Sequence, residues 1–410
     1  MSTCSVNSKA SEVDHSNIQK IASFILRQNP KNYFFQKSPG DTLLAWCGGS
    51  EEIKNASKVD LPETDFPHIY YRHFSLTGSG KYNPWKDFPK ESNWIPDFFI
   101  HLKEDGNTRQ LRGNFLLENI TEKKNSIQSN DFKNAKRIEI PNKKEWNSYC
   151  EKISIALEDK VFDKIVPARI WHMEYTKALD QNSIFETLLE KFSKTELHFF
   201  CIREESSLFI GASPELLFKR KDKSLFVPAI AGTRLRGKTE IADKALATEL
   251  FDSSKERLEH DFVVQYICEK LSGISSSPQK LSAEPEILKL PKLQHLYTSI
   301  QCTLNAEIES LELLKLLHPT PAMCGFPAIP AAKFLEEEEL WHRGLYAAPL
   351  GYYYQSTDGS ESKFIVGIRS ALVKNDSIHF FAGAGFVKGS SAEAEWEETA
   401  QKMISFLDFF

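Results

Sequence analysis

The chain has 410 residues, of which 41% are hydrophobic and 26% charged, with a net charge of −5. That balance supports a sizeable core under an ordinary polar surface, and it excludes a disordered chain and a basic architectural protein. An acidic chain argues against general binding to nucleic acid or anionic membrane, and no apolar run approaches the roughly 18 residues of a membrane span.

Residues 1–15 are polar, carry no signal-peptide stretch and are expected to be disordered. Residues 16–141 mix aromatics, prolines and short apolar runs, of which Leu43–Cys47 and Leu111–Leu116 read as strands. Helix signals are sparse there. Glu122–Asn134 is polar throughout and reads as a surface loop at the boundary with a second part, 142–410. In that part Trp146, Tyr149, Ile153 and Leu157 recur at helical spacing. Strand candidates follow at Lys164–Trp171, Leu197–Ile202, Leu208–Ser213 and Leu225–Thr233. A helical stretch covers Ile241–Leu271 with Gly273 as its stop, and a break is expected near Asp252 because Ser253 and Glu256 have capping-box spacing. More strands are expected at Pro349–Tyr354, Phe364–Arg369 and Ile378–Gly385, then a closing helix from about Ala392. Strands outnumber helices and neighbour one another, which favours an α+β protein over a regular βαβ array.

The seven cysteines, Cys4, Cys47, Cys150, Cys201, Cys268, Cys302 and Cys324, are odd in number, scattered and without a CxxC pair. They read as free thiols in a reducing, cytoplasmic setting, with neither a zinc site nor a disulfide framework.

Two acidic groups lie on expected helix faces. Glu256 and Glu259 are three apart, and Glu395, Glu398 and Lys402 share one face. Carboxylate pairs suit a hard cation such as magnesium, although such glutamates are equally at home on a solvated surface, and Glu256 also fits as the capping partner of Ser253. Glycine-bearing turns follow strand-like runs at Gly211–Glu215, Ala231–Gly237 and Gly383–Gly385, where backbone amides can approach an anion or simply satisfy turn geometry. Lys164 begins an apolar run, so its amine is either desolvated and available as a base or reaches solvent. His295 is a lone histidine on an apolar face.

Taken in order, these segments resemble the chorismate-utilising enzyme family, most closely its isochorismate synthases. The matching pieces are Lys164-Ile-Val-Pro-Ala-Arg169, Gly211-Ala-Ser-Pro-Glu-Leu-Leu217, Ala231-Gly-Thr-Arg-Leu-Arg-Gly237 and Ser254-Lys-Glu-Arg-Leu-Glu-His260. Leu293–Leu296, Leu317–Pro327, Arg343–Ala347, Gly367–Ala371, Ala382–Gly385 and Glu395–Lys402 complete the series. The resemblance implies one large α+β domain of two packed antiparallel sheets with helices outside, and a cleft that binds chorismate with Mg²⁺. It implies an isomerase that forms isochorismate, with menaquinone biosynthesis as the expected pathway. Salicylate synthase shares the same residues, and a chorismate-binding protein without activity is a third reading.

Residue by residue, Lys164 matches the base that activates water for ring carbon 2, and Glu215 the acid that protonates the hydroxyl leaving ring carbon 4. These roles require a lysine made less basic by burial or a nearby cation, and a carboxyl kept protonated by an apolar or anionic setting. Glu259 and Glu398 match direct metal ligands, with Glu256 and Glu395 completing the shell. Gly232 and Thr233 match the pocket turn, and Tyr346, Arg369 and Gly385 match the grip on the enolpyruvyl carboxylate. Lys402 matches a lysine near the magnesium site and substrate carboxylate, while His295 and Thr320 match residues near the reacting ring positions. Lys164, together with the absence of a lysine from Pro319–Met323, implies water and not ammonia as nucleophile, so no glutamine amidotransferase partner is expected. Cys324, Ala348 and His342 depart from the family pattern beside the pocket.

Overall fold

The computed structural model describes residues 15–28, 30–47, 67–74, 81–103, 109–110, 135–193, 195–275, 279–280, 282–305, 308–356 and 359–410. The readings made for residues 1–14, for Leu111–Leu116 and for Glu122–Asn134 lie outside these described residues.

The chain forms one α+β domain built on two large antiparallel sheets. The ten-stranded sheet has the spatial order Arg109–Gln110, Phe98–Lys103, Asp41–Cys47, Asn32–Ser38, His198–Glu204, Ser207–Ser213, Ser370–Val373, Ser377–Gly383, Ala168–Glu174 and Lys136–Ile140. The nine-stranded sheet runs Gln279–Lys280, Leu293–Thr303, Ser224–Leu235, Leu216–Lys221, Gly359–Val366, Pro349–Ser356, Pro67–Arg72 and Glu91–Trp94, with Glu286–Lys289 also on Leu293–Thr303. A small third sheet sets Lys164–Ile165 between Gly325–Phe326 and Phe386–Val387. The early strands complete both large sheets: Asn32–Ser38 pairs with His198–Glu204, and Pro67–Arg72 with Pro349–Ser356.

Successive residues of the ten-stranded sheet face different cores. Phe34, Leu43, Phe200, Phe209, Leu372 and Phe381 join a core shared with the nine-stranded sheet. Their neighbours Tyr33, Phe35, Leu44, Phe199, Leu208 and Phe380 join a second core under the helices His15–Arg27, Gln181–Phe192 and Ala392–Leu407. Burial on both faces explains why these strands read as unbroken apolar runs without polar alternation. Each fully buried Phe contributes about 1.5–3 kcal/mol. A third cluster packs the Lys143–Glu158 helix, through Trp146, Tyr149 and Ile153, against Ile165, Phe386 and Trp396.

Two helices carry the acidic residues singled out from the sequence. The expected break near Asp252 is present, separating Glu240–Asp252 from Ser254–Ser272. Ser253 caps the latter by accepting from the Glu256 amide, and Ser391 caps Ala392–Leu407 by accepting from the Ala394 amide. The caps satisfy otherwise orphaned amides and place Glu256, Glu259, Glu395 and Glu398 within the first two turns. Buried Arg169 anchors the closing helix: Nε donates to Thr399 Oγ1 at 2.7 Å, Nη2 donates to the Trp396 carbonyl at 2.9 Å, and the guanidinium lies 3.6 Å from the centre of the Trp396 ring. Among the described residues no helix is long and apolar enough to cross a membrane, and the six described cysteines are free.

Candidate active site

A cleft with about 830 Å³ of empty space opens where the small sheet, the nine-stranded sheet, the Ser254–Ser272 helix and the closing helix meet. Of the residues singled out from the sequence, Lys164, Glu215, Gly232, Thr233, Glu256, Glu259, His295, Tyr346, Arg369, Gly385, Glu398 and Lys402 all line it. Segments far apart in the chain therefore converge on one space.

Lys164 sits on the central strand of the small sheet, 1% exposed, with Nζ 3.3 Å from Glu259 Oε2. The burial expected of a base is present. Its ion-pair partner is a carboxylate, not the neighbouring cation that was the other expected device. Glu215 follows the strand Ser207–Ser213, and its backbone is fixed by the Ser213 hydroxyl at 3.1 Å and the Val366 amide at 3.0 Å. Burial pushes its carboxyl up to about 8, against the opposing pull of Lys164 and Lys402. A carboxyl in that range keeps its proton at neutral pH and can give it away.

The four glutamates do not gather into one shell, and no three acidic, His or Cys ligands converge on a metal position among the described residues. Glu256 is committed elsewhere: Oε2 accepts the Thr233 amide at 3.0 Å and Oε1 the Arg234 guanidinium at 2.7 Å. It anchors the Gly232–Thr233 turn, and its carboxylate does not return to the helix start as a capping partner. Gly232 permits this approach, because its φ is +74° and a Cβ would lie 3.2 Å from Glu256 Cβ. Glu395 is outside the cleft lining, with Oε1 on Lys255 at 2.9 Å and Oε2 buried without a partner among the described residues. Burial, together with the charge of Glu398, raises its carboxyl, and Lys255 opposes the rise. Glu259 packs so closely on Gly385 that a Cβ there would fall 2.4 Å from Oε2. Burial raises the Glu398 carboxyl, but the Lys402 ammonium, 2.6 Å away, outweighs it and holds the group ionised. Of the four, Glu259 and Glu398 line the cleft with only lysine ammonium groups as ion-pair partners among the described residues, Lys164 and Lys402, and a carboxylate pair suits a hard cation completed by water and a bound carboxylate.

The binding groups are equally constrained. His295 Nδ1 lies 3.1 Å from the Gly232 carbonyl, which can only accept, so Nδ1 carries the hydrogen and Nε2 is a bare acceptor. Nε2 is buried with no partner among the described residues, and burial, reinforced by the charges of Arg369 and Lys402, lowers the imidazole to about 3 and keeps it neutral. Arg369 is held in the left-handed region, φ +51°, and its guanidinium reaches Ser405 Oγ at 3.4 Å. It forms no ion pair with a carboxylate among the described residues. Ala347, also in the cleft wall, has φ +58°. Backbone of this kind collects at functional sites. Burial lifts the Tyr346 phenol to about 12, so it stays a hydrogen-bond donor. Lys402 Nζ also donates to the Gly383 carbonyl at 2.9 Å. Thr320 does not line the cleft: it is buried, its Oγ1 lacks a partner among the described residues, and its turn presents Ala322 and Met323 instead.

Sequence reasoning missed the residues that hold these walls. Arg343 is buried and paired with Glu339, Nε to Oε2 at 2.7 Å; Nη1 donates to the Met323 carbonyl at 2.9 Å and Nη2 to that of Val166. Glu339 Oε1 in turn accepts the Ala168 amide at 3.1 Å. One ion pair thus ties the segment after Lys164 to the Met323 wall. The i,i+4 spacing of Glu339 and Arg343 was the available signal. Arg234 beside Thr233 and Lys255 beside Glu256 play similar holding roles.

A family model for chorismate binding enzymes matches residues 45–410. An isochorismate synthase of Catharanthus roseus chloroplasts is 35% identical over 277 residues, covering 66% of this chain but 46% of that protein, so the match spans about half the plant relative. Isochorismate synthase MenF of Bacillus subtilis (strain 168) is 30% identical over 332 residues, covering 78% of this chain and 69% of the relative. In fold, the structure of MenF, the menaquinone-specific isochorismate synthase from Escherichia coli, superposes with a TM-score of 0.78 at 22% identity, over 97% of this chain and 91% of that one. With the cleft residues in place and the family model spanning nearly the whole chain, the protein belongs to the chorismate-binding enzymes.

Proposed function

We propose that the protein is an isomerase that converts chorismate to isochorismate. The observation that carries this reading is the pairing, in one cleft, of a buried lysine with a carboxyl kept protonated by burial. Lys164, in its neutral amine form, takes a proton from water as the water oxygen bonds to ring carbon 2. The ring double bonds shift, and Glu215 gives its proton to the hydroxyl leaving carbon 4, so one water enters and one departs. Arg369 and Tyr346 hold the enolpyruvyl carboxylate, with Gly385 beside them, and the absence of a direct salt bridge from Arg369 to a carboxylate among the described residues, with Glu398 acting on it only at longer range, supports that role. His295 Nε2, a bare acceptor, takes a hydrogen bond from a ring hydroxyl.

Glu259 and Glu398 would hold Mg²⁺, with Glu256 and Glu395 behind them. Bound there, the ion supplies positive charge to the ring carboxylate. Two facts support the fit: the Gly385 cradle that leaves room for Glu259, and the unpartnered Glu395 Oε2 behind the site. The MenF relatives support menaquinone synthesis as the destination of the product, and free thiols support a cytoplasmic setting.

The test is chromatography of the products from purified protein, chorismate and Mg²⁺, alongside a chelator and Lys164→Ala. Isochorismate alone, lost in both controls, is expected. Salicylate with pyruvate would make the protein a salicylate synthase, and no product would return it to a binding role.

A further inference from the structure

The two residues assigned to the enolpyruvyl carboxylate flank one backbone junction. Tyr346 precedes Ala347, and Arg369 follows Gly367 and Ile368. The Ala347 amide donates to the Gly367 carbonyl, and the Gly367 amide to the Ala348 carbonyl, each at 2.9 Å. At the centre of this junction Ala347 holds φ +58°. A residue with a Cβ enters that region against its own sterics, so its surroundings must impose it.

The Ala347 carbonyl has a dedicated partner. His318 ends the helix Ser310–Leu317, and its Nε2 lies 2.9 Å from that carbonyl oxygen. A carbonyl can only accept, so Nε2 carries the hydrogen and Nδ1 is bare. Nδ1 is buried with no partner among the described residues. Burial lowers the imidazole to about 3, which keeps it neutral. Phe74 meets the ring edge to face, with 6.0 Å between centres. An orphaned acceptor makes this imidazole a destabilising way to fill a core. What it supplies, and an apolar ring would not, is the hydrogen bond to Ala347. His318 itself is outside the cleft lining, so it acts through other residues.

We propose that His318 is a positioning residue for the reaction: by holding the Ala347 carbonyl it keeps that residue left-handed and fixes Tyr346 and Arg369 as one unit facing the substrate carboxylate. This deepens the proposed function, and its kinetic arm rests on that reading. Arg343 joins the same two chain segments independently, through the Met323 carbonyl at 2.9 Å, so variants at His318 should still fold.

Two substitutions separate the hydrogen bond from the packing. His318→Phe keeps a ring and removes the donor, whereas His318→Gln keeps a donor. In crystal structures Ala347 should leave the left-handed region in His318→Phe and remain there in His318→Gln. In steady-state kinetics His318→Phe should raise KM for chorismate about tenfold and change kcat by less than about twofold. His318→Gln should keep KM within about threefold of the unmodified protein. Glycine takes the left-handed conformation without support, so in an Ala347→Gly background His318→Phe should raise KM by no more than about threefold over Ala347→Gly alone. Filling a core would not produce that rescue. The proposal is overturned if Ala347 stays left-handed in His318→Phe, if KM rises equally in the Phe and Gln variants or in neither, or if the rise is as large in the Ala347→Gly background. Should the unmodified protein form no isochorismate, the proposed function fails, while the conformation of Ala347 in the two variants still decides whether His318 supports it. If His318→Phe does not fold, His318→Met replaces it, with the same results expected, because it lacks a donor and packs adaptably.

Discussion

Two buried polar clusters in this molecule use similar residue types and differ in how completely they are satisfied. Between the sheets, Asp41 accepts hydrogen bonds from His101 Nε2 and Tyr352 and pairs with Lys363 Nζ at 2.7 Å, while His101 Nδ1 meets Tyr354 at 2.7 Å. Asp41, His101, Tyr352 and Lys363 leave no buried side-chain nitrogen or oxygen of their own without a partner. In the cleft, by contrast, His295 Nε2 and, just behind the lining, Glu395 Oε2 and Thr320 Oγ1 have none among the described residues. A satisfied buried network joins strands and specifies their register. An unsatisfied one costs stability and persists where a ligand completes it. The first cluster welds Asp41–Cys47 and Phe98–Lys103 of one sheet to Pro349–Ser356 and Gly359–Val366 of the other; under the proposed function, bound ligands would complete the second.

Substitutions should separate the two clusters cleanly. The largest effect is expected at Lys164→Ala and Glu215→Gln, each lowering kcat by about 10²–10⁴-fold in steady-state kinetics; the thermal midpoint of Glu215→Gln, which breaks no ion pair, should be unchanged or raised in calorimetry, whereas Lys164→Ala also leaves Glu259 without its counter-charge. Asp41→Asn should do the reverse. It leaves Lys363 buried without its counter-charge, which costs about 3–5 kcal/mol of stability in a denaturant titration, while the remaining folded protein keeps its kinetic constants. Loss of turnover per folded molecule in that variant would break the distinction. A smaller effect is expected at His295→Phe, where loss of one hydrogen bond to substrate raises KM by about tenfold; stability should change little, because removal of a buried orphan acceptor offsets the lost Nδ1 hydrogen bond to the Gly232 carbonyl.

The two clusters also predict opposite pH limbs. Glu215 holds its proton up to about 8, so kcat/KM should fall as pH rises through that value, and the limb should vanish from the residual activity of Glu215→Gln. Burial raises Asp41, but the hydrogen bond from His101 and the charge of Lys363 outweigh it and hold the carboxyl below its ordinary 3.8. Its folded value is depressed, so its stabilisation is present above 3.8 and is lost as pH falls through the folded value. The deficit of Asp41→Asn should therefore be full at neutral pH and shrink progressively in more acidic solution. This is the smallest of the expected effects.

Much of the cleft was legible because its residues lie in short segments with their own chemistry, at turns and capped helix starts. Ser253 announced the break in the long helix, and Glu398 and Lys402, expected on one helix face, meet as an i,i+4 ion pair. What was hidden depended on distant partners. Lys164–Trp171 reads as one strand, yet Pro167 cannot donate to a ladder, and the chain leaves the small sheet at Ile165 to enter the ten-stranded one at Ala168. The helix His15–Arg27 was missed although Ile21, Ala22 and Ile25 are buried at helical spacing; its second partner, the Gln181–Phe192 helix, lies far along the chain. Glu256 looked like a capping partner or a metal ligand, and only the folded Thr233–Arg234 turn shows where its oxygens go.

The central step of the proposed reaction is the addition of water at ring carbon 2 under the control of Lys164. Running the reaction in water enriched in heavy oxygen and analysing isochorismate by mass spectrometry tests this directly. One heavy oxygen at ring carbon 2 per turnover is the predicted result, lost along with product in Lys164→Ala. Unlabelled isochorismate would mean that the original hydroxyl migrates without exchange, and would contradict the roles assigned to both Lys164 and Glu215.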